Sequence, residues 1–298
     1  MNDLQKYFHA CLLAAAALIG GVSPAWAQVP LGTASRFAVL GGTNVTCTAP
    51  GSIIGDVGVA PGVVPSFTNT GCVITGATPP ATDSAAVQAR ADFLSAYAAL
   101  QSTACTGTLL STITGPMTLA PGVYCTGAAL TGTGVLTLDA GGDANAVWIF
   151  KIGAALTGTN FSVVMAGGGQ PCNVYWVPGA AVTMSTSAFS GNILAGDAVG
   201  GSITMTGGTL AGRALANVAV TMTGGNVIGC AALPGSKSCK DRDNDGDTDK
   251  DHRKCNQGVG NGSEGCDPGK SDAHWPFGSN DEHGGDKPGA PGRKGGKS

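Results

Sequence analysis

Val182-Thr-Met-Ser-Thr-Ser-Ala-Phe-Ser-Gly-Asn-Ile-Leu-Ala195 lines up with Ile203-Thr-Met-Thr-Gly-Gly-Thr-Leu-Ala-Gly-Arg-Ala-Leu-Ala216, and Val220-Thr-Met-Thr-Gly-Gly-Asn-Val-Ile-Gly229 begins a third copy. The copies start 21 and then 17 residues apart. Units of roughly 20 residues are too short to bury a core alone, so they stack on their neighbours as the coils of a solenoid. Stacking puts equivalent side chains in ladders, which predicts that Thr204 sits beside Thr221 on one flat face.

The rest of the central chain fits the same pattern. Short β-prone runs punctuated by glycine occur at 37–40, 52–59, 135–138, 146–152, 162–165 and 173–176. A weaker echo joins Ala129-Leu-Thr-Gly-Thr-Gly134 to Ala155-Leu-Thr-Gly-Thr-Asn160. One stretch differs. Residues 83–101 lack Gly and Pro and place Ala86, Arg90, Phe93, Tyr97 and Leu100 at helical spacing, with Thr82 or Asp83 as N-cap. A helix of about five turns laid along the coils is expected there.

The ends of the chain have other compositions. Residues 1–27 read as a secretory signal, with Lys6 before a short apolar run and Ala25-Trp-Ala27 as the cleavage site. That run is too short to span a membrane. A secreted domain is expected over 28–230, followed by a Gly-, Pro- and Asp-rich tail over 231–298 that has too few large aliphatics to bury a core. Export also suits the cysteines. Cys47 with Cys72 and Cys105 with Cys125 suit local staples, while Cys172 either pairs with Cys230 or stays a buried free thiol.

Charge excludes several functions. Between 28 and 230 the basic residues are Arg36, Arg90, Lys151 and Arg213, and the acidic ones Asp56, Asp83, Asp92, Asp139, Asp143 and Asp197. Nucleic-acid surfaces need clustered Lys and Arg, so no nucleic-acid partner is expected. No histidine lies between 28 and 234, so a Ser or Cys nucleophile has no imidazole base. Lys151, Arg213, Asp139, Asp143 and Asp197 are scattered in sequence, and Asp139 and Asp143 flank a Gly141-Gly142 turn. The expectation is a protein without catalysis.

Pro121-Gly-Val-Tyr124, Leu136-Thr-Leu-Asp-Ala-Gly-Gly-Asp143, Asn145-Ala-Val-Trp-Ile-Phe-Lys-Ile-Gly153, Cys172-Asn-Val-Tyr-Trp176, Gly191-Asn-Ile-Leu-Ala195 and Gly212-Arg-Ala-Leu-Ala216 occur in this order between about 31 and 230. Together they resemble the microbial ice-binding protein family of bacteria, fungi and diatoms. The resemblance implies a mainly β fold: a right-handed, discontinuous β-solenoid of roughly triangular section with one long helix alongside. It also implies a cap tied by a local disulfide, which Cys105 and Cys125 resemble. The family's ice site is implied to be a flat solenoid face bearing Thr-(Ala/Gly)-x-(Thr/Asn) motifs. Here that pattern matches Thr157-Gly-Thr159-Asn160, Thr206-Gly-Gly-Thr209 and Thr223-Gly-Gly-Asn226, and it fails at Ser185-Thr-Ser-Ala188. The candidate ice-binding residues are therefore Thr157, Thr159, Asn160, Thr206, Thr209, Thr223 and Asn226, in a ladder with one gap.

The chemistry of such a face is simple. Stacked coils lie about 4.8 Å apart and alternate strand residues about 6.6 Å apart, close to repeats of the ice lattice. A threonine hydroxyl anchors one water while its methyl favours a cage around it. Its stiff χ1 keeps the array ordered before ice arrives. In the tail, Asp241, Asp243, Asp245, Asp247 and Asp249 alternate around Gly246, as a Ca²⁺ loop over 241–252 requires, although His252 stands where a bidentate Glu is usual. The expected partner is an ice surface, with no required cofactor, with Ca²⁺ as a candidate ligand and a cell-surface or matrix contact as a candidate role of the tail. The alternative is a non-catalytic extracellular adhesive module that shares the fold and does not act on ice.

Overall fold

Strands of two to eight residues rich in Val, Ile, Leu and Thr, many of them followed by a glycine or a tight turn, have the length of one side of a coil. The computed structural model describes residues 30–60, 66–78 and 84–233. The expected leader, the caps Thr82 and Asp83, the tail cysteines Cys239, Cys255 and Cys266, and the aspartate loop at 241–252 lie outside the described residues. Every strand-to-strand pairing between named strands is parallel, and together they build a three-sided β-solenoid of eight coils. No helix among the described residues is long and apolar enough to cross a membrane.

One side, the threonine face, stacks Ser66–Thr70, Asn44–Thr48, Ala219–Thr223, Ile203–Thr206, Val182–Ser185, Leu156–Thr159, Leu130–Gly132 and Thr112–Ile113 in that order. A second side contains Gly122–Thr126, Trp148–Ile152, Val174–Pro178 and Phe37–Gly41, and it carries the helix. The third contains Met117–Leu119, Val135–Asp139, Ser162–Ala166, Asn226–Ile228, Ser52–Ile54 and Val73–Thr75. The long strands Ala188–Ala195 and Thr209–Ala216 belong to both, turning the corner at Gly191 (φ 123°) and Gly212 (φ 149°). A Cβ on Gly212 would run into the Gly191 carbonyl, so neither the torsion nor the space admits a side chain there.

The coils are not stacked in chain order. The coil ending at Asn226–Ile228, late in the chain, docks on the coil of Asn44–Thr48, early in the chain: Ala219–Thr223 pairs with Asn44–Thr48, and Asn226–Ile228 with Ser52–Ile54. The run expected at 52–59 is accordingly two strands on two sides. Ser52–Ile54 and Asp56–Val59 are parted by Gly55 at φ 130°, the corner from one coil to the next.

Two cores hold this together. Inside the coils, Tyr124, Phe150, Trp176 and Phe189 form a continuous aromatic column, with Phe150 and Trp176 stacked at 4.0 Å between centroids. Outside, the helix Ser84–Ser102 buries Ala86, Ala89, Phe93, Ala96 and Leu100 against Val123, Ile149, Tyr175, Val177, Leu194 and Leu215. Arg90 and Tyr97 flank that stripe rather than filling it. Arg90 donates to the Asn217 side chain, and the Tyr97 hydroxyl donates to the Pro178 carbonyl. Three disulfides join Cys47 to Cys72, Cys105 to Cys125 and Cys172 to Cys230, so Cys172 is not a free thiol.

Phe93 is fully buried, so Phe93→Ala should cost about 3–5 kcal/mol in urea unfolding, through lost transfer energy and a cavity beneath the helix. The same helix has an acid-sensitive clasp. Asp92 accepts hydrogen bonds from the Thr33 amide, the Thr33 hydroxyl and the Gln88 amide. Burial acts to raise its pKa, but these hydrogen bonds together outweigh it and hold the group below its ordinary 3.8. Stabilisation from a depressed carboxylate is complete above the ordinary value and is lost as pH falls through the native one. Unfolding free energy of the parent should therefore decline below about pH 4 more steeply than that of Asp92→Asn, and parallel acid limbs would refute this role.

Candidate functional site

Along the threonine face the strand alternation sends every second side chain inward. Val45, Leu130, Leu156, Val182, Ile203 and Val220 fill one inward column. Gly132, Gly158, Met184, Met205, Met222 and Cys47 fill the next. Gly132 leaves room for the Phe161 ring, whose nearest atom would lie 2.6 Å from an added Cβ. Where that ring is absent, flexible methionines occupy the space.

The outward positions are threonine. Thr68, Thr46, Thr221, Thr204, Thr183, Thr157, Thr131 and Thr112 are paired in register, one per coil, with no interruption. A second column runs beside it through Thr223, Thr206, Ser185 and Thr159, and Thr70 pairs with Thr48 at its far end. The unit is thus Thr-x-Thr, repeated in every coil with a single Ser substitution at 185. Eight rungs at the usual strand spacing give a ribbon about 34 Å long, with its columns about 7 Å apart. Thr46 donates weakly to Asn44, at 3.4 Å. Among the described residues, the hydroxyls of Thr131, Thr157, Thr183, Thr204, Thr206, Thr221 and Thr223 have no protein partner. None of the strands of this face contains a charged residue.

This register corrects the motif alignment. Thr157, Thr159, Thr206 and Thr223 do lie on one face, and Thr204 pairs with Thr221 as the repeats predict. But Thr157 belongs to the first column, whereas Thr206 and Thr223 belong to the second, so the matched four-residue motifs are two residues out of step. Thr209 and Asn226 are round the corner, paired with each other on the third side. Asn160 occupies the corner itself. The apparent gap also disappears, because Ser185 sits between Thr159 and Thr206 and keeps a hydroxyl in the column. The four-residue motif leaves out Thr46, Thr48, Thr68, Thr70, Thr112, Thr131 and Thr183, as well as Thr204 and Thr221, which the repeats already place on the face. Searching for Thr-x-Thr at each β-prone run would have found them.

The charged residues considered as catalytic candidates have structural partners. Arg213 donates to the Ser35 carbonyl and the Asn192 side chain, and Asn192 donates to the carbonyls of Cys172 and Val174. Burial draws the Arg213 guanidinium down to about 10, against an opposing effect of Tyr175, which leaves it cationic at neutral pH. Lys151 donates to the Thr103 carbonyl. Asp139 accepts from the Gly141 amide and Asp143 from the Asn145 amide, each shaping its turn. Asp197 accepts from the Gly200 and Val199 amides, which lower its pKa.

With that geometry, comparisons with known proteins agree. A sequence family described as Ice-binding-like matches residues 39–228. An ice-binding protein of Nostoc sp. (strain HG1) is 42% identical over 213 residues, covering 70% of this chain and 77% of the relative. The crystal structure of an ice-binding protein from the Antarctic ascomycete Antarctomyces psychrotrophicus superposes with a TM-score of 0.61 at 32% identity, covering 67% of this chain and 97% of the other. An ice-binding protein from an Antarctic biological consortium gives the same TM-score at 33% identity, over 68% and 91% of the two chains. The chain belongs to the ice-binding-like protein family.

Proposed function

We propose that this protein adsorbs to ice through the Thr-x-Thr face, acting as an antifreeze and an inhibitor of ice recrystallisation outside the cell. The observation that carries the reading is the uninterrupted, in-register threonine column with a second hydroxyl column beside it, on a face without charge. Hydroxyls with no protein partner are free to anchor water, and the β-branched side chains hold their positions without an ordering cost on binding. Methyl groups between them favour ordered water over bulk water. The relatives that share the fold are named for binding ice. Three disulfides favour an oxidising compartment, in keeping with the leader read at residues 1–27. Arg213, Lys151, Asp139, Asp143 and Asp197 are all engaged in structural hydrogen bonds, and no catalysis is assigned to the solenoid.

The prediction is specific to the face. Thr206→Tyr and Thr223→Tyr each put a bulky ring in the second column, at exposed positions that need no repacking of the core. Both variants should lose most of the thermal hysteresis and recrystallisation inhibition of the parent while keeping its far-UV circular dichroism and melting temperature. Ice crystals shaped by the variants as by the parent would remove the face from the mechanism. Unshaped, freely growing discs with the parent itself would favour the adhesive module instead.

A further inference from the structure

Beside the second threonine column runs a row of corner residues that repeats in each coil. Asn160 donates its backbone N–H to the Ser185 carbonyl, Thr186 to that of Thr206, Gly207 to that of Thr223, and Gly224 to that of Thr48. These four positions are structurally equivalent. All have left-handed backbones, with φ of 48°, 47°, 65° and 67° in that order. Two of them are glycine, as this torsion favours. Asn is the residue next best suited to it. Thr186 is the outlier. A β-branched residue in this region is strained, and such strain costs of order 1–3 kcal/mol unless the surroundings hold it.

Nothing about the fold calls for a threonine there. The side chain is exposed, it fills no core space, and the equivalent turns at Gly207 and Gly224 close without one. What it does is reach to the neighbouring coil. The Thr186 hydroxyl donates to Asn160 Oδ1 at 2.6 Å, fixing the exposed Asn160 amide. The Thr186 methyl lies 3.5 Å from the point where a Cβ on Gly207 would stand, so it extends over the next turn as well. Among the described residues the Asn160 Nδ2 group has no protein acceptor. Its two N–H donors, held in place from behind by the Thr186 hydroxyl, are left to water. This pair flanks the second-column stretch Thr159–Ser185–Thr206, which contains the one serine of the array.

We infer that Thr186 and Asn160 form a short third column of the ice-contacting surface, in which Thr186 is a positioning residue that holds the Asn160 amide. The inference rests on the threonine face being the ice-contacting surface. It assigns the strain at Thr186 to ice recognition rather than to folding. Serine at 185 lacks the methyl of its neighbours, and the adjacent pair restores both a methyl and fixed polar atoms at that coil.

The test separates stability from activity. Thr186→Gly relieves the left-handed torsion and removes the hydroxyl and methyl. Its melting temperature should equal or exceed that of the parent, while thermal hysteresis at equal concentration falls by about twofold or more, the loss of one anchoring hydrogen bond. Thr186→Asn tolerates the torsion and keeps a polar side chain, so it should retain more activity than Thr186→Gly. Asn160→Gly should match Thr186→Gly, and the double variant should add little to either, because the two act as one unit. Undiminished hysteresis in Thr186→Gly overturns the inference, whatever its melting temperature. Thr206→Tyr serves as the control: if it abolishes hysteresis and Thr186→Gly does not, only the third column fails. If neither variant changes hysteresis, the threonine face itself fails.

Discussion

The parallel pairing of Asn44–Thr48 with Ala219–Thr223 joins a coil from the start of the described chain to one from its end, and the flat face is continuous because that junction is in register. A slip of one residue would turn Thr46 and Thr48 inward and push Val45 and Cys47 into water, since strand side chains alternate with period two. The buried column opposes such a slip. Val45 sits in line with Val220 and Cys47 with Met222, so each rung's core residues fix the position of its hydroxyls. Burial under the face and order on its surface are the same constraint viewed from two sides.

That coupling explains why the exposed array can be so regular. Threonine on a strand of an ordinary soluble protein would be surrounded by charged neighbours, yet here the strands of this face carry none. Among the described residues, charges lie on the helix, at turns and on the helix-bearing side, where Arg90, Arg213 and Lys151 add polar bridges between elements. The polar bracing of the molecule is thereby kept off the threonine face.

Much of this was legible in the sequence. The repeats at 182–229 give the stacking and the Thr204–Thr221 pairing, and the glycine-free stretch gives the helix to within one residue at each end. The order of the coils was not legible, because docking the last turn of the solenoid on the first joins segments some 175 residues apart, beyond any local pattern. The motif alignment failed for a different reason. Thr-Gly-Thr-Asn at 157 and Thr-Gly-Gly-Thr at 206 share letters, but in the first the glycine is an inward strand residue, and in the second Gly207 is the left-handed corner. Letters cannot tell a glycine that faces into the coil from one that turns the chain. Only the register can.

The helix lying along the coils has one further consequence. Its buried residues Ala86, Ala89, Phe93, Ala96 and Leu100 recur every three or four positions, an advance of about 5.3 Å at the usual helical rise. The coils beneath recur every 4.8 Å or so. The two periods act as a vernier, and the mismatch of roughly 0.5 Å accumulates to about 2 Å over the stretch from Ala86 to Leu100. Soft side chains and small alanines absorb that much. About one step more would bring the offset to half a coil period, roughly 2.4 Å, and set knobs against ridges, so a straight helix of this kind sets an upper limit on the length of the ribbon it can brace.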